Sequence, residues 1–385
     1  MSIKFTIEQS VFEAQYQEKK PVLMRRAASI DQFSWRDVNE IFERSDVISK
    51  DFKLSYNGIR PKEEYVERYL DVGTLRYRLI KPVVYDYLRK GATLISNKIR
   101  NEPKIYQFSR KIAEYTRRRV VSSAYVAFGT KDSYRSHWDT RDVFAIQIIG
   151  RKRWVLYEPS LELPLYTQQS RDYEHMYPCP TEVYMDVILE AGDVLYIPRG
   201  WWHNPLPLGE GTFHLALGTF PAYAIDYLSW VLSLMPDFLS ARKALDSWEG
   251  DRDVIEGVAR DVSEFIADEV NYRRFMGEFV GGLRVESPLA IEILGNDSSE
   301  AASNKMRFRL ATHVPKHGLR DRYVLANGAK VNLSDQILPI IAAIANEPGV
   351  NVADLISRNP ELDGEKLKGL IFDLCRQDVL EIIRD

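Results

Sequence analysis

The spacing of apolar residues changes character several times along the chain. Residues 1–118 are mixed, with a mostly helical period. The stretch 12–16 opens an amphipathic run, and residues 33–42 set apolar side chains at helical intervals behind Ser34, a capping residue. Residues 65–70 and 83–88 share that spacing, whereas 91–96, beginning Gly91-Ala92-Thr93, switches to a strand-like pattern. From 119 to about 221 the pattern predicts short strands at 120–128, 142–149, 152–157, 193–197 and 214–220. Gly150-Arg151 and Pro198-Arg199-Gly200 supply turns, and no helical period intervenes, so an antiparallel sandwich or barrel is predicted here.

Helical spacing returns at 222–294. Tyr227, Trp230, Val231 and Leu234 form one apolar face, and Val254, Val258, Val262 and Phe265 form another. Residues 295–303 are small and polar and read as a linker. Asn327-Gly328 between two strand-like runs predicts a hairpin. Ser334, Asn351 and Asp363 then cap three short helices, and the apolar run 379–383 closes a winged-helix-like module. The expected organisation is an α+β chain with an N-terminal segment at 1–118, a β core at 119–221, a helical segment at 222–303 and a C-terminal module at 304–385.

Composition narrows the function classes. A length of 385 residues suits two or three domains. Lys plus Arg total 52 against 55 Asp plus Glu, so no overall basic footprint for nucleic acid exists. The C-terminal helices hold more acidic than basic residues, which favours a protein contact over DNA binding. The two cysteines, Cys179 and Cys375, stand far apart, which excludes a disulfide framework and a cysteine-built zinc cluster and fits a reducing cytosol. With no run of about 18 apolar residues and no signal-peptide core, no membrane span is expected and a cytoplasmic location is.

The chemistry concentrates in the β core. In His137-Trp138-Asp139 the first and third residues are two apart, so on extended backbone their side chains leave on one face. His203 follows the turn at Pro198-Arg199-Gly200. A second imidazole from a neighbouring strand would complete a two-histidine, one-carboxylate set, which holds Fe(II) and leaves coordination positions open. Lys152 alternates with Arg151 and Arg153, so it can point inward while they meet solvent, and a buried ammonium requires an anion such as a cosubstrate carboxylate. Tyr125, Gln147 and His214 lie on core strands and are candidates to line the same space. Each feature also has an ordinary reading: a chance His-x-Asp, a histidine at a hairpin corner, a solvated basic turn, a core histidine.

Together these residues resemble the JmjC oxygenases of the cupin superfamily, and most of all the ribosomal oxygenases, which hydroxylate ribosomal proteins. The resemblance rests on His137-x-Asp139, Asp142-Val143-Phe144, Gln147, Gly150 to Trp154, the run Gly192 to His203 and the strand His214 to Phe220. Ser123, Ala127 and Trp201-Trp202 depart from the pattern of many relatives. The resemblance implies a double-stranded β-helix core, with residues 222–303 as a helical dimerisation segment and a C-terminal winged helix. It further implies His137, Asp139 and His203 as iron ligands, and Lys152 as the group that binds the distal carboxylate of 2-oxoglutarate; Tyr125 and His214, from their place on core strands, are the further cofactor-binding candidates.

The expected activity is therefore an Fe(II)- and 2-oxoglutarate-dependent dioxygenase that uses O2 to hydroxylate a protein or peptide side chain. A ribosomal protein is the favoured substrate, the chain is expected to form a homodimer, and no direct nucleic-acid partner is expected. Other readings are tailoring of a peptide natural product, demethylation of methyl-lysine, and a cupin with a winged helix acting as a regulator without turnover. The absence of zinc-binding modules weighs against the demethylase, and the lack of a basic recognition helix against the regulator.

Overall fold

The computed structural model describes residues 2–130, 135–285, 287–294, 304–313, 319–320 and 322–383. The chain divides into two units, Met1–Phe220 and Pro221–Asp385. The strands of the first, in chain order, are β1 (Ser2–Ile3), β2 (Val22–Met24), β3 (Ala28–Ser29), β4 (Phe52–Ser55), β5 (Val66–Asp71), β6 (Thr74–Leu79) and β7 (Thr93–Ser96). They continue with β8 (Arg119–Ala127), β9 (Asp142–Ile149), β10 (Lys152–Tyr157), β11 (Met185–Leu189), β12 (Val194–Ile197), β13 (Trp202–Pro207) and β14 (Thr212–Phe220).

From β8 onward the strands divide between two antiparallel sheets, with β8, β9, β12 and β14 in the larger and β10, β11 and β13 in the smaller. One sheet has the order β2-β12-β9-β14-β8-β7-β4 and the other β11-β10-β13. An isolated bridge from His137 to His203 adds a further segment beside β13. This arrangement is a double-stranded β-helix. The outer face of the larger sheet presents Phe144, Ile146, Tyr196, Phe213 and Leu215, which bury against Phe12, Ile105, Phe108 and Ile112 of the N-terminal helices. Its inner face presents Ala145, Leu195 and Ile197 to Trp154 and Leu156 of β10 and Leu189 of β11. With both faces covered, β9 is buried at every position except Ile149, which explains its near-continuous apolar sequence.

The N-terminal segment is less helical than its periodicity suggests. Helices do form at Gln9–Gln15, Trp35–Arg44, Lys81–Arg89 and Pro103–Thr116, but β2, β4 and β7 are strands of the main sheet. Residues 65–70, with their helical spacing, fall on β5, which pairs with β6 in a hairpin. The connection Val72-Gly73 has positive φ at both residues, 46° and 77°, the geometry that matches the twist of a two-residue hairpin. Cross-strand pairing then wins over a six-residue window too short to distinguish the periods. One face of this hairpin carries the ion pairs Arg78–Glu67 at 2.6 Å and Arg76–Asp71 at 2.7 Å.

The sequence pattern also misses β11 and β13, and it leaves His203 behind a turn when it is the second residue of β13. Pro205 and Pro207 disguise that strand. They are tolerated because they share parity with His203, whose N–H donates to His137 and so points away from β10. A proline on that side of the strand costs no bond to β10.

In the second unit, helices Ala224–Leu234, Trp248–Ala267 and Glu269–Gly282 precede β15 (Arg307–Leu310), β16 (Tyr323–Ala326), β17 (Ala329–Asn332), β18 (Val350–Asn351) and β19 (Leu380–Ile383). Strands β16 and β17 form the expected hairpin, with Asn327 and Gly328 at φ 51° and 78°. Helices Leu338–Asn346, Val352–Arg358 and Gly364–Arg376 pack with the β18-β15-β19 sheet around Phe308, Ile341, Leu355 and Ile371. The linker expected at 295–303 lies outside the described residues. Among those residues no helix is long and apolar enough to cross a membrane.

Gly150, where the chain leaves β9 for β10, has φ 67°, and a Cβ there would stand 2.2 Å from the Gly211 carbonyl oxygen. Gly150→Ala is expected to destabilise the protein by more than about 1 kcal/mol, read as a lower urea midpoint with an unchanged slope.

Candidate metal centre

His137 and His203 meet through their backbones. The His137 N–H donates to the His203 carbonyl at 3.1 Å, and the His203 N–H returns the bond at 2.9 Å. Residues paired in this way project side chains to one face, and the two rings stand 4.3 Å apart. Each imidazole is oriented by a carbonyl near it in the chain. His137 Nδ1 is 3.0 Å from the Arg135 oxygen, and His203 Nδ1 is 3.1 Å from the Trp201 oxygen. A carbonyl only accepts, so Nδ1 carries the proton in the neutral ring and Nε2 presents its lone pair.

Asp139 completes the group. Its Oδ2 is 3.9 Å from His203 Nε2, and one ligand atom from each of His137, Asp139 and His203 lies within 4.8 Å of the others. Burial, reinforced by His137, pushes His203 down to about 4, so it is neutral at pH 7. Burial acts to raise the Asp139 carboxyl, but Arg141, His203 and His137 outweigh it and hold the group below its ordinary range. The Arg141 guanidinium is 3.4 Å from Asp139 Oδ1. Two imidazoles and one carboxylate gathered in this way suit Fe(II) or another divalent first-row ion. Trp138, between the ligands in sequence, turns away. It packs edge-on to Trp202 at 4.7 Å and donates to the Gln168 carbonyl at 3.1 Å.

The inner face of β10 leads away from this group. Leu156 is paired with His203, and Lys152 lies four residues along the strand, about 13 Å at the usual strand rise. Lys152 is 4% exposed, while Arg151 and Arg153 face outward to Glu210 and Asp186. On the facing sheet Tyr125, His214 and Gln147 stand side by side in the register of β8, β14 and β9. The Tyr125 and His214 rings stack at 4.9 Å. Burial and the nearby Lys152 ammonium hold His214 well below its ordinary range, so its ring is neutral.

Trp154, two residues from Lys152 on the same face, joins the two ends. Its ring is 6.0 Å from His203 and 5.5 Å from His214. Trp154 Nε1, His214 Nδ1 and Gln147 Oε1 are buried without a hydrogen-bond partner. Buried polar atoms normally have partners, so a buried lysine beside an orphaned indole donor fits a compact anion. All seven sequence candidates thus face one inner space. Sequence reasoning missed Arg141 and Trp154. Alternation could have found both, along β10 from Lys152 to Trp154 and onward from His137 and Asp139 to Arg141.

Residues 94–227, which hold the two histidines and the carboxylate, match the JmjC domain model. The chain is similar to the bifunctional lysine-specific demethylase and histidyl-hydroxylase NO66 of Drosophila persimilis, at 26% identity over 161 residues, 41% of this chain and 23% of that protein. The Drosophila yakuba protein of that name is 30% identical over 164 residues, again 41% and 23% of the two chains. The chain thus spans less than a quarter of these relatives' length. Among solved structures it is similar to Escherichia coli ycfD, with TM-score 0.64 and 18% identity over the whole of both chains. The ribosomal oxygenase YcfD from Escherichia coli in complex with cobalt and 2-oxoglutarate gives TM-score 0.62 at 17% identity, also over both whole chains. This likeness is one of fold.

Asp139→Ala removes the anionic donor of the group. Calorimetric titration with Mn(II) should show affinity reduced at least about tenfold, and an unchanged dissociation constant would exclude Asp139 as a ligand.

Proposed function

We propose that this protein is an Fe(II)- and 2-oxoglutarate-dependent hydroxylase of a protein side chain, acting in the cytoplasm with a ribosomal protein as substrate. One observation carries the reading. The group His137, Asp139 and His203 shares the inner face of the β-helix with a buried lysine four residues along the strand from the level of His203. That pairing suits a metal ion at one end and a dicarboxylate held at both. The names of the relatives support it, since one is a histidyl-hydroxylase and the other a ribosomal oxygenase seen with 2-oxoglutarate.

In this reading His137 and His203 give Nε2 donors and Asp139 gives the anionic one. Fe(II) and 2-oxoglutarate, when bound, supply oxygen activation, with one oxygen atom ending in the substrate hydroxyl and the other in succinate as carbon dioxide leaves. The chain's own residues place and enclose that chemistry. Arg141 holds the Asp139 carboxylate. Lys152 binds the distal carboxylate of the cosubstrate, and Trp154 offers its N–H to the same ligand. Tyr125 and His214 wall the far side, and the neutral His214 adds no second cation beside Lys152. The surrounding rings exclude water from the reacting centre.

The helical segment of the second unit serves as a homodimer interface. Helix Trp248–Ala267 buries none of its residues within the chain, and Leu228, Leu232, Leu239, Trp248 and Val270 are exposed. Such a face is ordinarily covered by a partner.

Lys152→Ala should raise the 2-oxoglutarate KM by tenfold or more while leaving Mn(II) affinity near wild type; an equal loss in both would make the lysine structural. Substrate identity is tested by mass spectrometry of ribosomal proteins and small peptides from cells with and without the gene. A one-oxygen increment on a ribosomal protein that disappears in His137→Ala supports the reading. The same increment on a small peptide would replace the ribosomal substrate with a peptide natural product.

A further inference from the structure

Asp142 opens β9 three residues beyond Asp139, and its side chain is 2% exposed. Its carboxylate accepts three hydrogen bonds. Oδ1 takes the Arg199 backbone N–H at 3.0 Å. Oδ2 takes the Tyr196 hydroxyl and Arg118 Nη1, each at 2.8 Å. The Tyr196 oxygen in turn accepts the Glu18 N–H at 2.8 Å. The Glu18 carboxylate stands 3.4 Å from Arg199 Nη2 and 3.6 Å from Arg118 Nη2. Two arginines and two carboxylates thus form one network around a tyrosine. It joins the start of β9, the end of β12, the turn at Pro198-Arg199-Gly200 and the N-terminal segment.

The location of that turn gives the network its consequence. The turn leads directly into β13 and His203. It is fastened to the Asp139 segment twice, by Arg199 N–H on Asp142 and by the Gly200 N–H on the Asp139 carbonyl at 2.9 Å. Gly200 has φ 86°, and a Cβ there would meet the Leu161 carbonyl at 2.7 Å, so the turn has little room to shift. The reach from Asp139 to His203 is therefore set through Asp142, none of whose atoms belongs to the ligand group.

We propose that Asp142 is a positioning residue for the metal centre: by binding Arg199, Tyr196 and Arg118 it fixes the spacing between Asp139 and His203, and Glu18 extends this brace into the N-terminal segment. The proposal rests on the reading of His137, Asp139 and His203 as metal ligands. Network members that touch no metal then control metal affinity, as outer partners of ligands do elsewhere.

The test is equilibrium binding of Co(II) to the full chain, followed by calorimetry and by visible absorption of the bound ion, well below each variant's melting temperature. Asp142→Asn should weaken Co(II) binding by about 10–100-fold and alter the absorption of the bound ion. Tyr196→Phe and Glu18→Gln, which leave the Asp142 carboxylate in place, should shift both readouts in the same direction by less. A lowered melting temperature with wild-type Co(II) affinity and absorption would make the network purely structural and overturn the proposal. Should Asp142→Asn fail to fold, full Co(II) affinity and an unaltered spectrum in the other two variants would overturn it equally. A wild-type protein that binds no Co(II) would overturn the metal-centre reading and this proposal with it, an outcome distinct from a defect confined to the variants.

Discussion

Two backbone hydrogen bonds between His137 and His203 are the constraint on which the rest of the site depends. Because they are made by main-chain atoms, they set both imidazoles on one face whatever the side chains do. The neighbouring carbonyls of Arg135 and Trp201 then set the tautomers. The remaining architecture keeps those two bonds in register. Strand β10 pairs with β13 on its opposite side, and the prolines of β13 fall where no bond to β10 is lost. Asp139 follows two residues on, braced by Arg141.

The larger sheet divides its labour between its faces. Outward, Phe144, Phe213 and Leu215 bury against the N-terminal helices. Inward, the same strands present Tyr125, Gln147 and His214 in one row. Since side chains alternate along a strand, a slip of one residue would place those polar groups in the hydrophobic layer and phenylalanines in the cavity. The burial that stabilises the outer layer therefore also fixes which residues face the inner space. Burial has a second effect within the cavity: it keeps His203 and His214 neutral, so the ammonium of Lys152 faces no competing cation from them.

Much of this was legible in the sequence because the β core has strong local signals. The β-branched and aromatic runs of β8, β9 and β10 fall where the periodicity puts them, and the hairpin at Asn327-Gly328 follows from its turn residues. Spacing made His137, Asp139 and Lys152 candidates, since alternation on extended backbone decides which side chains share a face, and only the resemblance to a known family gave them roles. What escaped notice depends on long-range pairing. The hairpin of β5 and β6 carries a helical period in a window too short to be decisive. Strand β13 hides behind two prolines whose harmlessness is visible only once the partner strands are known. The Glu18–Arg199 contact arises from segments brought together by the fold, and no local pattern encodes it.

The His137–His203 bridge also bears on how the chain folds. The two residues lie far apart in sequence, and the strands that carry them belong to a sheet whose neighbours arrive from other parts of the chain. Loop closure on that scale must precede the contact, which makes the pairing slow relative to helix formation. The ligand group therefore does not exist in a partly folded chain that lacks this pairing. A metal ion that recognises the completed group binds the native state and not its precursors, and by mass action it deepens the native well. In the cell, metal supply would then influence not only how fast such a protein turns over substrate but how long each molecule escapes unfolding and degradation.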